Sequence, residues 1–166
     1  MNGGVMSMKG AVVYHSQWGN CRQVAEKIAE GLREAGHEAN LLDVASKEGL
    51  DRSLEFIAAG SGTRIGKMTG AIHRFIKKQV KEEWQGRPFV AFGTGMLDVR
   101  EKGQKQSADR IYGLLEEKGL KPLAPAYKAA VTDLQGPLAD GELDAAFEFA
   151  KKIGAALGGG GDSAHE

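Results

Sequence analysis

Between the apolar run Ala11-Val12-Val13 and a stretch in which Val24, Ala25, Ile28, Ala29 and Leu32 recur at helical spacing lies Tyr14-His15-Ser16-Gln17-Trp18-Gly19-Asn20-Cys21-Arg22. A buried strand therefore feeds an amphipathic helix through small, hydrogen-bonding residues. A loop in that place sits at a helix N-terminus, where unpaired N–H groups and the positive end of the helix dipole favour an anion. Residues 14 to 21 contain no Lys or Arg, so a phosphate there would be held by backbone N–H groups and by the side chains of Ser16 and Asn20.

A second glycine-rich stretch, Gly60-Ser61-Gly62-Thr63-Arg64-Ile65-Gly66-Lys67-Met68, invites two nucleotide fingerprints and satisfies neither. A Walker A loop requires Gly where Ser61 stands and Ser or Thr where Met68 stands. The dinucleotide pattern beginning at Gly60 requires a third glycine where the chain has Ile65. ATPase, GTPase and Rossmann dehydrogenase readings are disfavoured on these counts.

The rhythm of the chain supplies the architecture. Strands over 9–14, 38–43, 55–60 and 88–92 and an apolar segment from Ala124 to Val131 alternate with helices over 20–35, 69–83, 104–118 and 141–157. Five strands alternating with helices imply an α/β fold, a doubly wound parallel sheet covered on both faces. Ligands of such sheets bind beyond the carboxyl ends of the strands, where strand order reverses. The loops at 15–21, 60–70 and 93–103 all leave such ends and should converge on one site.

With 166 residues, one domain over 8–157 is the economical reading, with 1–7 and 158–166, including the glycine run 158–161, as flexible termini. The hydrophobic fraction of 42% and charged fraction of 27% are those of a soluble globular protein. No apolar run approaches a spanning helix and no signal-peptide pattern is present, which makes the cytoplasm the default location and a membrane partner unexpected. Cys21 alone cannot form an internal disulfide, and the four scattered His residues show no metal-ligand spacing. Net charge is zero, yet residues 61–110 carry eleven Lys or Arg against five Asp or Glu, a net of +6 balanced by −6 elsewhere. That segment reads either as solvated helix faces or as a field for an anionic substrate or acidic partner. No interleaving of basic and aromatic residues supports nucleic-acid binding.

Three segments together resemble the flavodoxins and their flavodoxin-like relatives: SQWGNC, similar to the family's S/T-x-T-G-N-T; GSGTRIGKMTG after the third strand; and FVAFGTGM in the fourth. The ending GPLADGELDAAFEFAKKI is similar to the last helix of many such sequences. The resemblance implies a flavodoxin-like five-stranded fold that binds FMN. Its phosphate would rest on Ser16, Gln17, Trp18, Gly19, Asn20 and Cys21. Its ring would lie between Ser61, Gly62, Thr63, Arg64, Ile65 and Gly66 on one side and Thr94, Gly95 and Met96 on the other. It also gives Gly66 a peptide that reorients on flavin reduction and presents its carbonyl to N5.

The chain departs from the pattern in two ways. Trp18 and Cys21 stand where the family usually has Thr, exchanging two hydroxyls for an indole and a thiol. The ring-flanking loops contain no aromatic residue, leaving Met68, Met96, Leu97 and Ile65 to cover the ring, whereas Trp84 reads as core. Cys21 at a helix N-terminus would have a lowered thiol pKa, although a cradle role is favoured over a nucleophile. His15 reads as a residue satisfying a loop carbonyl rather than a proton donor. The implied function is an electron carrier serving redox protein partners. The alternatives are an NAD(P)H-dependent quinone or flavin reductase and a regulatory domain with a repurposed cradle.

Overall fold

The computed structural model describes residues 6–164, and side chains through residue 158. Six parallel-paired strands form one sheet: β1 (Lys9–His15), β2 (Glu38–Asp43), β3 (Phe56–Gly62), β4 (Pro88–Met96), β5 (Lys121–Pro122) and β6 (Tyr127–Val131). The order is β2-β1-β3-β4-β5, with β6 also paired to β4. The chain thus steps outward from β1 to β2 and then crosses to the other side of β1 for β3. That reversal places the switch point at the carboxyl ends of β1 and β3.

Alternating residues of each strand serve two cores. Ala11, Val13, Ile57, Ala59, Phe89 and Ala91 face α2 (Gly70–Gln79) and α4 (Ser107–Glu117). Val12, Tyr14, Phe56, Ala58, Val90 and Phe92 face α1 (Asn20–Glu34) and α5 (Glu142–Ala164). Burial on both faces explains why these strands read as continuous apolar runs. Each of the fully buried Phe56, Phe89, Phe92 and Ile57 contributes about 1.5–3 kcal/mol of transfer free energy. His37, only 4% exposed, accepts the Met8 N–H at Nδ1 (3.0 Å), leaving Nε2 to donate to the Gly154 carbonyl at 2.7 Å. One ring so ties the entry to β1 onto α5.

The structure revises several element boundaries. The expected fifth strand over 124–131 is realised as β6, and an unexpected two-residue strand, β5, pairs with the start of β4 just ahead of it, with Pro125 between the two. The expected helix over 69–83 stops at Gln79, and Trp84, fully buried as core, sits in a separate 3₁₀ turn, Glu82–Trp84. β4 runs on to Met96, and a short helix, α3 (Leu97–Glu101), fills much of the expected loop. The last helix continues through the glycine run to Ala164; the expected flexibility at 1–5 and 165–166 lies outside the described residues. Among the described residues no helix is long and apolar enough to cross a membrane.

Candidate functional site

Gly19 lies immediately before α1 at φ 91°, a left-handed conformation that glycine adopts without strain. This turn folds the loop back so that the Ser16 hydroxyl accepts the N–H groups of Gly19 (3.0 Å) and Arg22 (3.1 Å). Gln23 N–H already reaches the Gly19 carbonyl at 3.1 Å. Among the described residues no acceptor takes the N–H groups of Trp18, Asn20 or Cys21. Those donors, with the remaining Ser16 proton, form a concave backbone site at a helix start, suited to an anion without any cation.

Asn20 has a second engagement. Its Nδ2 donates to the Gln135 carbonyl (2.9 Å), tying the cradle to the loop after β6, 115 residues away. Cys21 is 2% exposed, and burial pushes its thiol far above the ordinary range. Desolvation therefore outweighs the helix dipole, correcting the expectation of a lowered pKa.

Beside the cradle opens a cleft at the carboxyl ends of β1, β3 and β4, the position where doubly wound sheets bind their ligands. It brings together Ser16, Gln17, Trp18, Asn20 and Cys21 with Gly62, Thr63 and Arg64 and with Thr94, Gly95 and Met96. All three predicted loops therefore converge. Thr69, Val131 and Leu134 complete the lining and were not anticipated. Val131 ends a predicted apolar segment and Leu134 interrupts a polar one, Asp133-Leu134-Gln135, which was the available signal. Trp18, Met96 and Leu134 supply the large apolar surfaces.

Six expected residues do not line the cleft, Met68 and Leu97 of the proposed ring cover among them. Ser61 is fully buried: its hydroxyl donates to the Gly62 carbonyl (2.8 Å) and accepts the Thr69 N–H (3.3 Å). Gly19 contributes through its turn. Ile65 is 98% exposed, and Gly66 faces α4, its carbonyl accepting Arg110 Nε at 3.1 Å. Reorientation of the Gly66 peptide would have to release Arg110.

The loops are braced from below. The Thr63 hydroxyl donates to Ser107 Oγ (3.0 Å), which donates to the Ser61 carbonyl (2.8 Å), while Ser107 N–H donates to Thr63 Oγ1 (3.0 Å). β3 ends at Gly62 opposite Thr94, so Gly95 and Met96 have no strand partner on their β3 side. That edge can hydrogen-bond a planar polar ring. Arg100 donates to the Lys128 carbonyl and to Glu142 Oε1, each at 3.0 Å, tying the segment after β4 to β6 and α5.

A family profile described as a flavodoxin domain matches residues 11–129, a span that contains the cradle, the loop after β3 and all of β4. The chain belongs to the flavodoxin domain family. Among solved structures it is similar to a flavodoxin from the domain Archaea (TM-score 0.75, 21% identity, 90% of this chain and 99% of that one). It is also similar to a flavodoxin, WrbA-like protein from Agrobacterium tumefaciens (TM-score 0.68, 21% identity, 89% and 96%). At those identities the likeness is one of fold. An NAD(P)H dehydrogenase (quinone) of Methylocella silvestris is 32% identical over 89 residues, covering 41% of this chain and 45% of that protein. The match thus spans less than half the length of this curated relative.

The flavodoxin family binds FMN. The unpaired N–H groups of Trp18, Asn20 and Cys21 fit a terminal phosphate, and the cleft with its open β4 edge fits a flavin ring.

Proposed function

We propose that this flavodoxin-family chain binds FMN non-covalently and carries electrons between redox proteins. The observation that carries the reading is the cation-free nest of N–H donors at the start of α1, opening into a cleft walled by Trp18, Met96 and Leu134. Ser16 Oγ and the N–H groups of Trp18, Asn20 and Cys21 would hold the phosphate. Gly95 and Met96 would present backbone groups to the pyrimidine side of the ring, where fixed dipoles stabilise developing negative charge. Bound FMN supplies the one- and two-electron chemistry. The chain contributes orientation, through the Ser61–Thr63–Ser107 brace, and an apolar wall that limits water at the ring.

A second reading, an NAD(P)H-dependent quinone or flavin reductase, is favoured by the quinone dehydrogenase relative and by Arg64 at the cleft, a residue suited to a phosphorylated nicotinamide donor.

An absorbance titration with FMN, followed by anaerobic mixing with NADH and NADPH, separates the readings. Tight binding without rapid nicotinamide oxidation supports the carrier. Rapid bleaching with turnover on a quinone supports the reductase. Absence of FMN binding overturns both and leaves a repurposed cradle.

A further inference from the structure

Residues 64–67 form a two-residue hairpin beside the cleft. Arg64 N–H donates to the Lys67 carbonyl (2.9 Å) and Lys67 N–H returns the bond (3.0 Å), with Ile65 at φ 50° and Gly66 at φ 74° on the tip. Two positive φ values suit Asn-Gly or Gly-Gly. Ile65 is β-branched, and this conformation is strained for it. Its side chain is also 98% exposed. Strain and apolar exposure at one position point to a contact made with another molecule, and Ile65 projects outward instead of lining a recess.

Cations surround this tip. Lys67, His73 and Arg110 share one shallow depression floored by Met68. Arg110 reaches the Gly66 carbonyl, the Lys105 backbone lies beneath Gly66, and the Arg74 guanidinium packs at Gly70. Arg64, Lys67, Arg74, Lys105 and Arg110 are all exposed, and among the described residues none has a carboxylate within ion-pairing distance. Five of the eleven cations of residues 61–110 are therefore without an ion-pair partner on this side of the molecule. An apolar projection inside a charged rim is the anatomy of a protein-docking surface.

We infer that Ile65 and its collar of Arg64, Lys67, Arg74, Lys105 and Arg110 dock an acidic electron-transfer protein, with Ile65 entering an apolar recess ringed by carboxylates. This rests on the carrier reading. Docking here sets the partner's redox centre against the cleft, because Arg64 belongs to both surfaces. Two ferric one-electron partners would take the two electrons of one reduced FMN, iron going to the ferrous state and the flavin's protons to solvent.

The test uses two probes: rubredoxin, a small acidic iron–sulfur protein, and cytochrome c, a basic haem protein. FMN-loaded protein, reduced with one equivalent of dithionite, is mixed anaerobically with each from about 0.01 M to about 1 M NaCl, which shortens the Debye length from about 30 Å to about 3 Å. The expected second-order rate with rubredoxin falls roughly tenfold or more across that range, while the rate with cytochrome c stays level or rises. Lys67→Glu combined with Lys105→Glu should abolish the fall. Ile65→Asn should raise the melting temperature of the FMN-free protein and slow rubredoxin reduction at every salt concentration. A rubredoxin rate that is flat or rises with salt, with FMN bound, overturns the docking surface alone. So does an Ile65→Asn protein that is no more stable and equally fast. A chain that holds no FMN overturns the carrier reading, and the docking surface falls with it.

Discussion

His15 Nδ1 lies 2.9 Å from Thr69 Oγ1, joining the end of β1 to the residue that precedes α2 across 54 positions. Thr69 lines the cleft, so this pair sets one wall of the site. Burial holds the imidazole pKa below its usual 6.5, and Arg64 and Arg74 push the same way against the opposing pull of Asp43. The fold therefore favours neutral His15. The stabilisation is fully present above pH 6.5 and is lost as pH falls through the lowered folded pKa. Urea midpoints between pH 7.5 and 5 should fall more steeply for the wild type than for His15→Gln, and parallel curves would remove His15 from the account.

Cys21 gives the opposite sign. Its burial raises the thiol pKa above the usual 9.0, so the folded chain keeps the proton that the unfolded chain releases. Stability is full below pH 9.0 and declines as pH rises above it. Cys21→Ala should flatten that alkaline decline. Iodoacetamide should label wild-type Cys21 only as the start of α1 opens, leaving native protein unlabelled over a time that completes the reaction in urea.

The same contrast between local signal and burial explains what the sequence disclosed. The strand runs were legible because both faces of the sheet are covered, and the cradle because a strand, an Asn/Gly turn and an amphipathic helix are contiguous. The end of β4 was not: Gly93 and Gly95 read as loop, and only pairing to neighbouring strands, Gly93 to Ser61 and Lys128 and Gly95 to Ala130, makes them strand. Val80 and Trp84 keep helical spacing although the helix has ended, since both are simply buried. Thr69 and Leu134 reach the cleft through tertiary contacts, His15 for one and the Asn20–Gln135 bond beside the other, which no local pattern encodes. Ile65 belongs to a sequence-identified loop, yet the left-handed turn sends it outward.

Two cross-strand Gly–Phe pairs shape the sheet face under α1. A Cβ at Gly60 would come 2.3 Å from the Phe92 ring, and one at Gly10 would come 2.3 Å from Phe56. Both rings are core, so neither can swing aside. Gly60→Ala and Gly10→Ala should each destabilise by about 1–3 kcal/mol, the usual range for overpacking. Gly60→Ala combined with Phe92→Leu should recover part of the loss, a coupling measurable by urea denaturation of the full cycle. Additive effects would mean that the sheet relieves the contact by moving its backbone.

Asn20 tests whether the cradle serves the ligand as well as the fold. In Asn20→Asp a carboxylate replaces the amide that donates to the Gln135 carbonyl, so a buried donor becomes a second acceptor. Losing that bond costs about 1–3 kcal/mol. An acidic residue in the first turn of α1 recovers about 0.3–1 kcal/mol from the helix dipole. The net expectation is a loss of roughly 1 kcal/mol, since the unpaired carbonyl outweighs the dipole. The same carboxylate would face a bound phosphate across the cleft, so FMN affinity should fall further in Asn20→Asp than in Asn20→Ala, which loses the bond without adding charge. Flavin titrations of both variants, beside their urea midpoints, decide the matter. Equal affinities would make Asn20 a tie between α1 and the loop after β6 and leave anion binding to the backbone donors alone.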